Sequence, residues 1–324
     1  MKRKDSFSRK AMKLLCTLLG LILVVMLGVT LLFRDYLDQI HYVPSGSTED
    51  SSILEVFSQI SFSGFSDQRI GGPGSGLVNI LLIGQDAREG ETQARSDSMI
   101  LCTYNKNTRQ LTMTSFLRDL YLPIPNHGSN RINAAYTFGG APLLKKTIDQ
   151  NFNVAIDGSV EVDFSHFSDI IDLLGGVQLQ IRQDEADVIN QQTGSTLTEG
   201  THILDGAQAL VYSRIRSLDI DGDFSRTNRQ RKVMGALADS LRGSGLKELT
   251  PVISKILPMI NTDLSRGQLL LYAAEILPHL SRMDILSQSI PADGTFTDQT
   301  VDGMSVLAAD MAAQRQYLQK TLLK

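Results

Sequence analysis

The most apolar stretch of the chain comes first. Leu14 to Phe33 run for 20 residues without a charge. A helix of that length covers ~30 Å, the thickness of a bilayer's hydrocarbon core, so the pattern predicts a transmembrane helix over 14–33. A different pattern starts at Leu77. Leu77–Ile83 reads LVNILLI and is almost continuously apolar up to Gly84, as in a strand buried on both faces. Met99–Tyr104 and Leu111–Phe116 predict two more strands, joined by a polar turn at Asn105–Thr108. Phe164, Phe167, Ile171 and Leu174 recur at steps of three, four and three, the stripe of a one-sided helix that Gly175-Gly176 ends. Val177, Leu179 and Ile181 alternate as a strand. Helices are predicted over Asp205–Tyr212 and Arg226–Leu241. Leu307, Met311, Leu318 and Leu322 predict a closing helix. Between Phe33 and Leu77 the chain reads as a stalk. Pro44–Ser52 is polar, Ile53–Phe65 suggests one short helix, and Gly71–Gly76 a flexible joint.

Strands alternating with helices predict an α/β fold, a three-layer α/β/α sandwich with a mixed central sheet. The expected organisation is a basic tail over 1–13, the membrane helix over 14–33, a stalk over 34–76 and one folded domain over 77–324.

Charge gives this plan a direction. Residues 1–13 carry six Lys or Arg against Asp5, so the net charge of −4 divides into +5 there and −9 over the rest. Positive residues stay inside, which places the N-terminus in the cytoplasm and the domain outside the cell, on a single-pass membrane protein. A cleaved signal peptide is the competing explanation. The apolar run is longer than a usual signal core, and no small-x-small site follows in Leu31–Leu37. Cys16 lies at the start of the run rather than after it, so it does not mark a lipoprotein site. The acidic main body argues against nucleic acid as a partner. Trp is absent, which excludes a sugar platform built on it. Two cysteines give no disulfide framework, and Cys102 reads as a small core residue.

The common catalytic signatures are missing: there is no Walker A, HExxH, CxxC or GxSxG sequence, and the five histidines are scattered. The positive signal is a set of charged residues at strand ends. Asp86 and Arg88 follow the first strand. Arg95-Ser-Asp97-Ser98 precedes the second, and Arg118-Asp119 follows the third. The densest set is Tyr212-Ser-Arg214-Ile-Arg216, Asp223-Phe-Ser-Arg226 and Arg229-Gln230-Arg231. If 213–216 are extended, Arg214 and Arg216 point the same way. Arg226, Arg229 and Gln230 share one helix face, and Asp223 stands where it would cap that helix. Guanidinium forks bind phosphate oxygens in pairs, and Asp86 and Asp97 could hold Mg²⁺ against the same phosphates. In open α/β sheets such a site lies at strand ends. The set therefore points to a polyanion site, with isolated surface ion pairs as the alternative.

At these residues the chain resembles the LytR-CpsA-Psr family of bacterial cell-envelope enzymes. The motifs occur in order: Asp86/Arg88, Arg95-Ser-Asp97-Ser98, Arg118-Asp119, Arg131-Ile-Asn133-Ala-Ala-Tyr136 and Gly139-Gly140. Then come Asp172-Leu-Leu-Gly-Gly-Val177, Leu204-Asp-Gly-Ala-Gln-Ala-Leu210, Tyr212–Arg216, Gly222–Arg226 and Arg229-Gln230. The resemblance covers roughly 77–324 and is densest over 77–235. It implies a Mg²⁺-dependent phosphotransferase, with Mn²⁺ as an alternative ion. The implied donor is a glycopolymer on a polyprenyl pyrophosphate, of teichoic-acid or capsule type, and the acceptor is peptidoglycan. By position, Asp86 and Asp97 resemble the metal carboxylates. Arg95, Arg118, Arg214, Arg216, Arg226 and Gln230 resemble the pyrophosphate ligands. Asp223, beside them, resembles a base or an orienter of Arg226. Arg118, Asp223, Arg214 and Arg216 are the candidates for the catalytic role.

Two departures stand out: Arg131 where a lysine is more usual, and Leu117 where a proline is. The prenyl tail would need an apolar tunnel between sheet and helices. The separate C-terminal domain of some relatives is not expected here. The same residues would serve a hydrolase that releases the polymer. A non-catalytic lipid-carrier scaffold would keep the arginines but tolerate loss of Asp86 and Asp97. A transcription regulator would need the domain inside the cell.

Overall fold

A computed structural model describes residues 41–42, 69–86, 95–218, 223–241, 251–252 and 254–323. The expected tail, membrane helix and most of the stalk, with Cys16, Arg88 and Gly222, lie outside these residues. At Asp86 and Arg95 the backbone alone is described. Among the described residues no helix is long and apolar enough to cross a membrane.

The centre is a seven-stranded sheet. Its strands are β1 (His41–Tyr42), β2 (Leu77–Asp86), β3 (Arg95–Asn105), β4 (Gln110–Phe116), β7 (Gly158–Asp163), β10 (Asn261–Thr262) and β11 (Asp284–Ile290), in the order β1-β10-β7-β2-β3-β4-β11. It is mixed, as expected. β2 runs antiparallel to β3 and parallel to β7, and β11 runs parallel to β4. The three strands read from apolar runs are adjacent interior strands of it. Sheet pairing also takes in residues before Leu77. His41 and Tyr42 pair with β10, and buried Ile70 bridges Val154. The glycine segment after Ile70, expected to be a flexible joint, is a series of ordered turns. The Asn79 amide donates to the Ile70 and Ala155 carbonyls and holds the segment against the sheet.

Helices flank the sheet on both faces. Leu81, Ile83, Met99, Leu101 and Phe116 point to one side, and pack with Ile132, Leu144, Ile148 and Phe152 of α1 (Ile132–Phe152) and with Leu318 and Leu322 of the last helix. Residues of opposite parity, Leu82, Ile100, Val160 and Val162, face α2 (Phe164–Leu173), α4 (Gly206–Arg214) and α5 (Asp223–Leu241). This two-sided burial explains why β2 shows no polar alternation. The alternating strand β8 (Val177–Ile181) buries every second residue as read, but it pairs only with β9 (Gly200–Leu204) in a side hairpin. That hairpin and α3 (Gln183–Thr193) form a second core with α2, α4 and α5.

Further elements surround this centre. The hairpin β5 (Tyr121–Ile124) with β6 (Gly128–Arg131) precedes α1. Helix α6 (Arg266–Ile276) follows β10. A C-terminal hairpin, β12 (Phe296–Val301) with β13 (Met304–Ala309), leads into α7 (Met311–Leu322). Leu307, expected in the closing helix, lies in β13 instead. Asp310 caps that helix by accepting from the Ala312 and Ala313 amides, so it cannot start earlier.

Candidate active site

The site forms where β2 and β4 end and β3 begins. The β2–β3 ladder slips at its edge: Gly84 faces Ser98 and Gln85 faces Ser96, leaving Asp97 as an extra residue. Such a bulge re-aims the side chain it inserts. Gly84 permits the close approach, because a Cβ there would lie 3.0 Å from that of Ser98. Asp86 pairs with Arg95 in the same ladder, so the two aspartates sit on neighbouring strand ends.

Arg118 sits in the turn after β4 and reaches three carboxylates. Its Nη1 donates to Asp97 at 3.2 Å and its Nε to Asp119 at 3.3 Å, and Nε also lies 3.4 Å from Asp223 Oδ1. Burial alone would lower its pKa. Asp119, Asp223 and Asp97 outweigh that and raise it, so the guanidinium stays charged. Arg216 Nη2 takes the second oxygen of Asp97 at 3.4 Å. Arg131 Nε lies 3.3 Å from Asp119 Oδ1.

On α5, Arg226 is 2% exposed and pairs with Asp223. Burial pulls this arginine down to about 10 and pushes the Asp223 carboxyl up, against the pull of Arg226 and Arg118. Asp223 is the first residue of the helix, but it does not cap it. Both its carboxylate oxygens are buried and none of their contacts has hydrogen-bond geometry. Arg229 turns away from this cluster. It makes a buried pair with Glu185 of α3 at 2.8 Å and donates to the Ile215 carbonyl at 3.2 Å, holding the segment between Arg214 and Arg216. That segment is not a uniform extended run. Arg214 ends α4, exposed, with its guanidinium 4.5 Å from the Phe164 ring centroid, and only Arg216 reaches Asp97.

Beside the charged cluster lies an apolar cavity of about 200 Å³ between the sheet and α2, α4 and α5. Leu82, Ile100, Val160, Val162, Phe167 and Met234 line it, and Phe164 is at its wall. Its few polar lining groups are Ser98, Ser213 and Gln230, next in sequence to Asp97 and Arg214 and one turn from Arg226. Gln230 thus lies in the cavity wall, and no contact to the arginines is seen. Among the described residues no three His, Cys, Asp or Glu side chains converge on one point. Of the two aspartates expected to hold a metal, Asp97 is the one with a described side chain, and its two oxygens face Arg118 and Arg216; Mg²⁺ takes one or two carboxylates and completes its shell with water and phosphate oxygens.

Sequence reasoning missed several polar contacts. The Tyr136 hydroxyl donates to Glu161 at 2.6 Å and accepts from the Gln85 amide at 2.5 Å, tying α1 to β7 and β2 just below the site. Phe224, next to Asp223, stacks on Phe296 of the C-terminal hairpin at 5.1 Å. Neither was legible, because the partners are distant in sequence.

The LytR_cpsA_psr family model matches residues 53–322. The chain belongs to the LytR_cpsA_psr family. Among its relatives, the polyisoprenyl-teichoic acid–peptidoglycan teichoic acid transferase TagT of Bacillus subtilis is 39% identical over 176 residues, 52% of this chain and 53% of TagT. The chain thus spans about half the length of the curated relatives it matches. Among solved structures, TagT bound to LIIa-WTA superposes with a TM-score of 0.66 at 26% identity, over 87% of this chain and 98% of that one. The LytR-CPS2A-psr family protein YwtF (TagT) with bound octaprenyl pyrophosphate lipid gives 0.60 at 27% identity, over 81% and 94%.

Both departures from the LytR_cpsA_psr pattern have local reasons. Leu117 donates its N–H to the Ile290 carbonyl at 2.8 Å and buries its side chain completely. A proline has no such donor, so the turn before Arg118 is fixed here by a hydrogen bond. Arg131 faces Asp119 as an ion pair and donates to the Ser305 carbonyl, a span that one ammonium group is poorly shaped to make.

Proposed function

We propose that this chain is a membrane-anchored phosphotransferase that moves a glycopolymer from a polyprenyl pyrophosphate to peptidoglycan, with the domain outside the cell and residues 14–33 as its anchor. The observation that carries this is the meeting of two opposite environments. A cluster of arginines and aspartates adjoins an apolar cavity, as an amphiphile with a doubly charged head would require. TagT is named a teichoic acid–peptidoglycan transferase and has been seen with octaprenyl pyrophosphate lipid, which supports the same donor class here. At about 200 Å³ the cavity is smaller than the ~300–1,000 Å³ of drug-sized pockets. It would take the first prenyl units of a long tail.

In the proposed step an acceptor hydroxyl attacks the phosphorus that carries the sugar. The new O–P bond forms, the bond to polyprenyl phosphate breaks, and polyprenyl phosphate leaves with the electron pair. Arg118, Arg216 and Arg226 would neutralise the pyrophosphate in a partly dry site, where fixed charges act strongly. Arg214 would sit over Phe164 at the tail side, and Arg95 at the outer strand end. Asp223 suits the hydroxyl's proton, since its oxygens lack hydrogen-bonding donors and its pKa is raised. Asp86 and Asp97 would hold Mg²⁺, or Mn²⁺, which when bound adds positive charge against the phosphates.

The test uses the full chain in detergent with a polyprenyl-pyrophosphate saccharide, uncrosslinked peptidoglycan and Mg²⁺. Mass spectrometry follows the saccharide phosphate. Covalent product on peptidoglycan that disappears in Arg118→Ala and Asp97→Ala is the expected result. Free saccharide phosphate alone would identify a hydrolase. Donor binding without turnover that survives Asp97→Ala would identify a scaffold.

A further inference from the structure

Arg118 is held between competing carboxylates, and one of them is its own neighbour. Asp119 follows it directly, so no movement of another element can take it away. A carboxylate that turns both oxygens to a guanidinium makes the paired fork that phosphate would otherwise make. Asp119 does not do this. Its Oδ2 accepts from Arg118 Nε at 3.3 Å, while its Oδ1 faces Arg131 Nε at 3.3 Å as an ion pair without hydrogen-bond geometry. Arg131 is fixed at its other end, where Nη2 donates to the Ser305 carbonyl in the C-terminal hairpin. That hairpin is tied to the same turn by the Leu307 N–H, which donates to the Asp119 carbonyl at 2.9 Å.

We propose that Arg131 is a positioning residue that acts through Asp119. By occupying one Asp119 oxygen, it keeps Asp119 from closing on Arg118 and leaves Arg118 free to face Asp97, Asp223 and an incoming pyrophosphate. The C-terminal hairpin is the buttress that holds Arg131 in place. Asp119, Asp223 and Asp97 all favour the Arg118 charge. This rests on the function proposed above only in taking Arg118 as a pyrophosphate ligand.

The two possible roles of Arg131 differ in sign. If it merely braces the hairpin, a second change at Asp119 adds damage. If it restrains Asp119, weakening Asp119 repairs the loss. Farnesyl pyrophosphate with Mg²⁺ is titrated calorimetrically into the full chain in detergent. Arg131→Ala is expected to weaken binding about tenfold, the size of one charge-assisted contact. Arg131→Gln, which keeps a donor for Ser305 but no charge for Asp119, should do the same, and covers the case in which the alanine variant misfolds. Asp119→Asn in either background should restore binding to within about threefold of wild type. Double variants as weak as the singles, or weaker, would overturn the proposal, as would an Arg131→Gln protein that binds like wild type. Wild-type protein that binds no better than Arg118→Ala would remove the donor assignment itself, a result distinct from either.

Discussion

Asp223 is a carboxylate whose surroundings disagree with its charge. Burial pushes its carboxyl up, and the arginines on either side only partly offset that. A base acts when deprotonated, so a raised pKa moves the loss of activity to higher pH. The transfer rate should therefore fall on the acid side at a higher pH than an unperturbed aspartate would give. Asp223→Asn should lose about 10²–10⁴ in rate, abolish that acid limb, and still bind farnesyl pyrophosphate in the same titration. A variant that keeps both rate and acid limb would assign the proton to another group. Arg229 makes the contrasting case: same helix, same residue type, structural purpose. It and Glu185 are both 3% exposed and face each other. Removing one member strands the other, so Arg229→Ala should cost about 3–5 kcal/mol in thermal unfolding. Replacing both by apolar residues of similar size should recover most of it. Sequence spacing put Arg226, Arg229 and Gln230 on one face and could not separate them, because the partner that claims Arg229 lies 44 residues away.

At the scale of elements, the apolar cavity exists because β2, β3 and β7 present small or branched side chains to helices that do not close on them. Val162 of β7 is one of these. Val162→Phe should fill the space without disturbing the charged cluster. Its affinity for octaprenyl pyrophosphate should drop at least tenfold, since each methylene withdrawn from burial is worth about 0.8 kcal/mol, while inorganic pyrophosphate binds unchanged. Equal loss for both probes would separate the cavity from the prenyl tail. The elements that make this cavity were largely legible. LVNILLI and the Phe164–Leu174 stripe carry their periodicity in the chain itself. Others left no such trace. Helix α1 is interrupted by Gly139 and Gly140, whose backbone angles are not helical, and contains Pro142. Strand β11 sits at the sheet's edge with three of its seven residues exposed and only two buried, so it has no apolar run to read. The bulge at Asp97 could not be read at all, because register belongs to a pair of strands and not to either one.

At the scale of the whole molecule, charge and hydropathy predict parts with different solvents, and this is testable in intact cells. The basic segment before the apolar run predicts that the domain lies outside. Its own cysteines give little background. Cys16 falls in the run assigned to the membrane, and burial pushes the Cys102 thiol up to about 12, far from a reactive thiolate at neutral pH. Ile203, on the β8–β9 hairpin, is 68% exposed and belongs to neither the cavity nor the charged cluster. The full chain with Ile203→Cys, made in a Gram-positive host, should react with a membrane-impermeant maleimide in whole cells, while the wild-type chain stays unlabelled. Labelling only after lysis would place the domain in the cytoplasm. There it would meet neither peptidoglycan nor an outward-facing lipid carrier, and an acidic regulator would become the better account of the same fold. Labelling in whole cells puts the arginine cluster on the side where both proposed substrates are found.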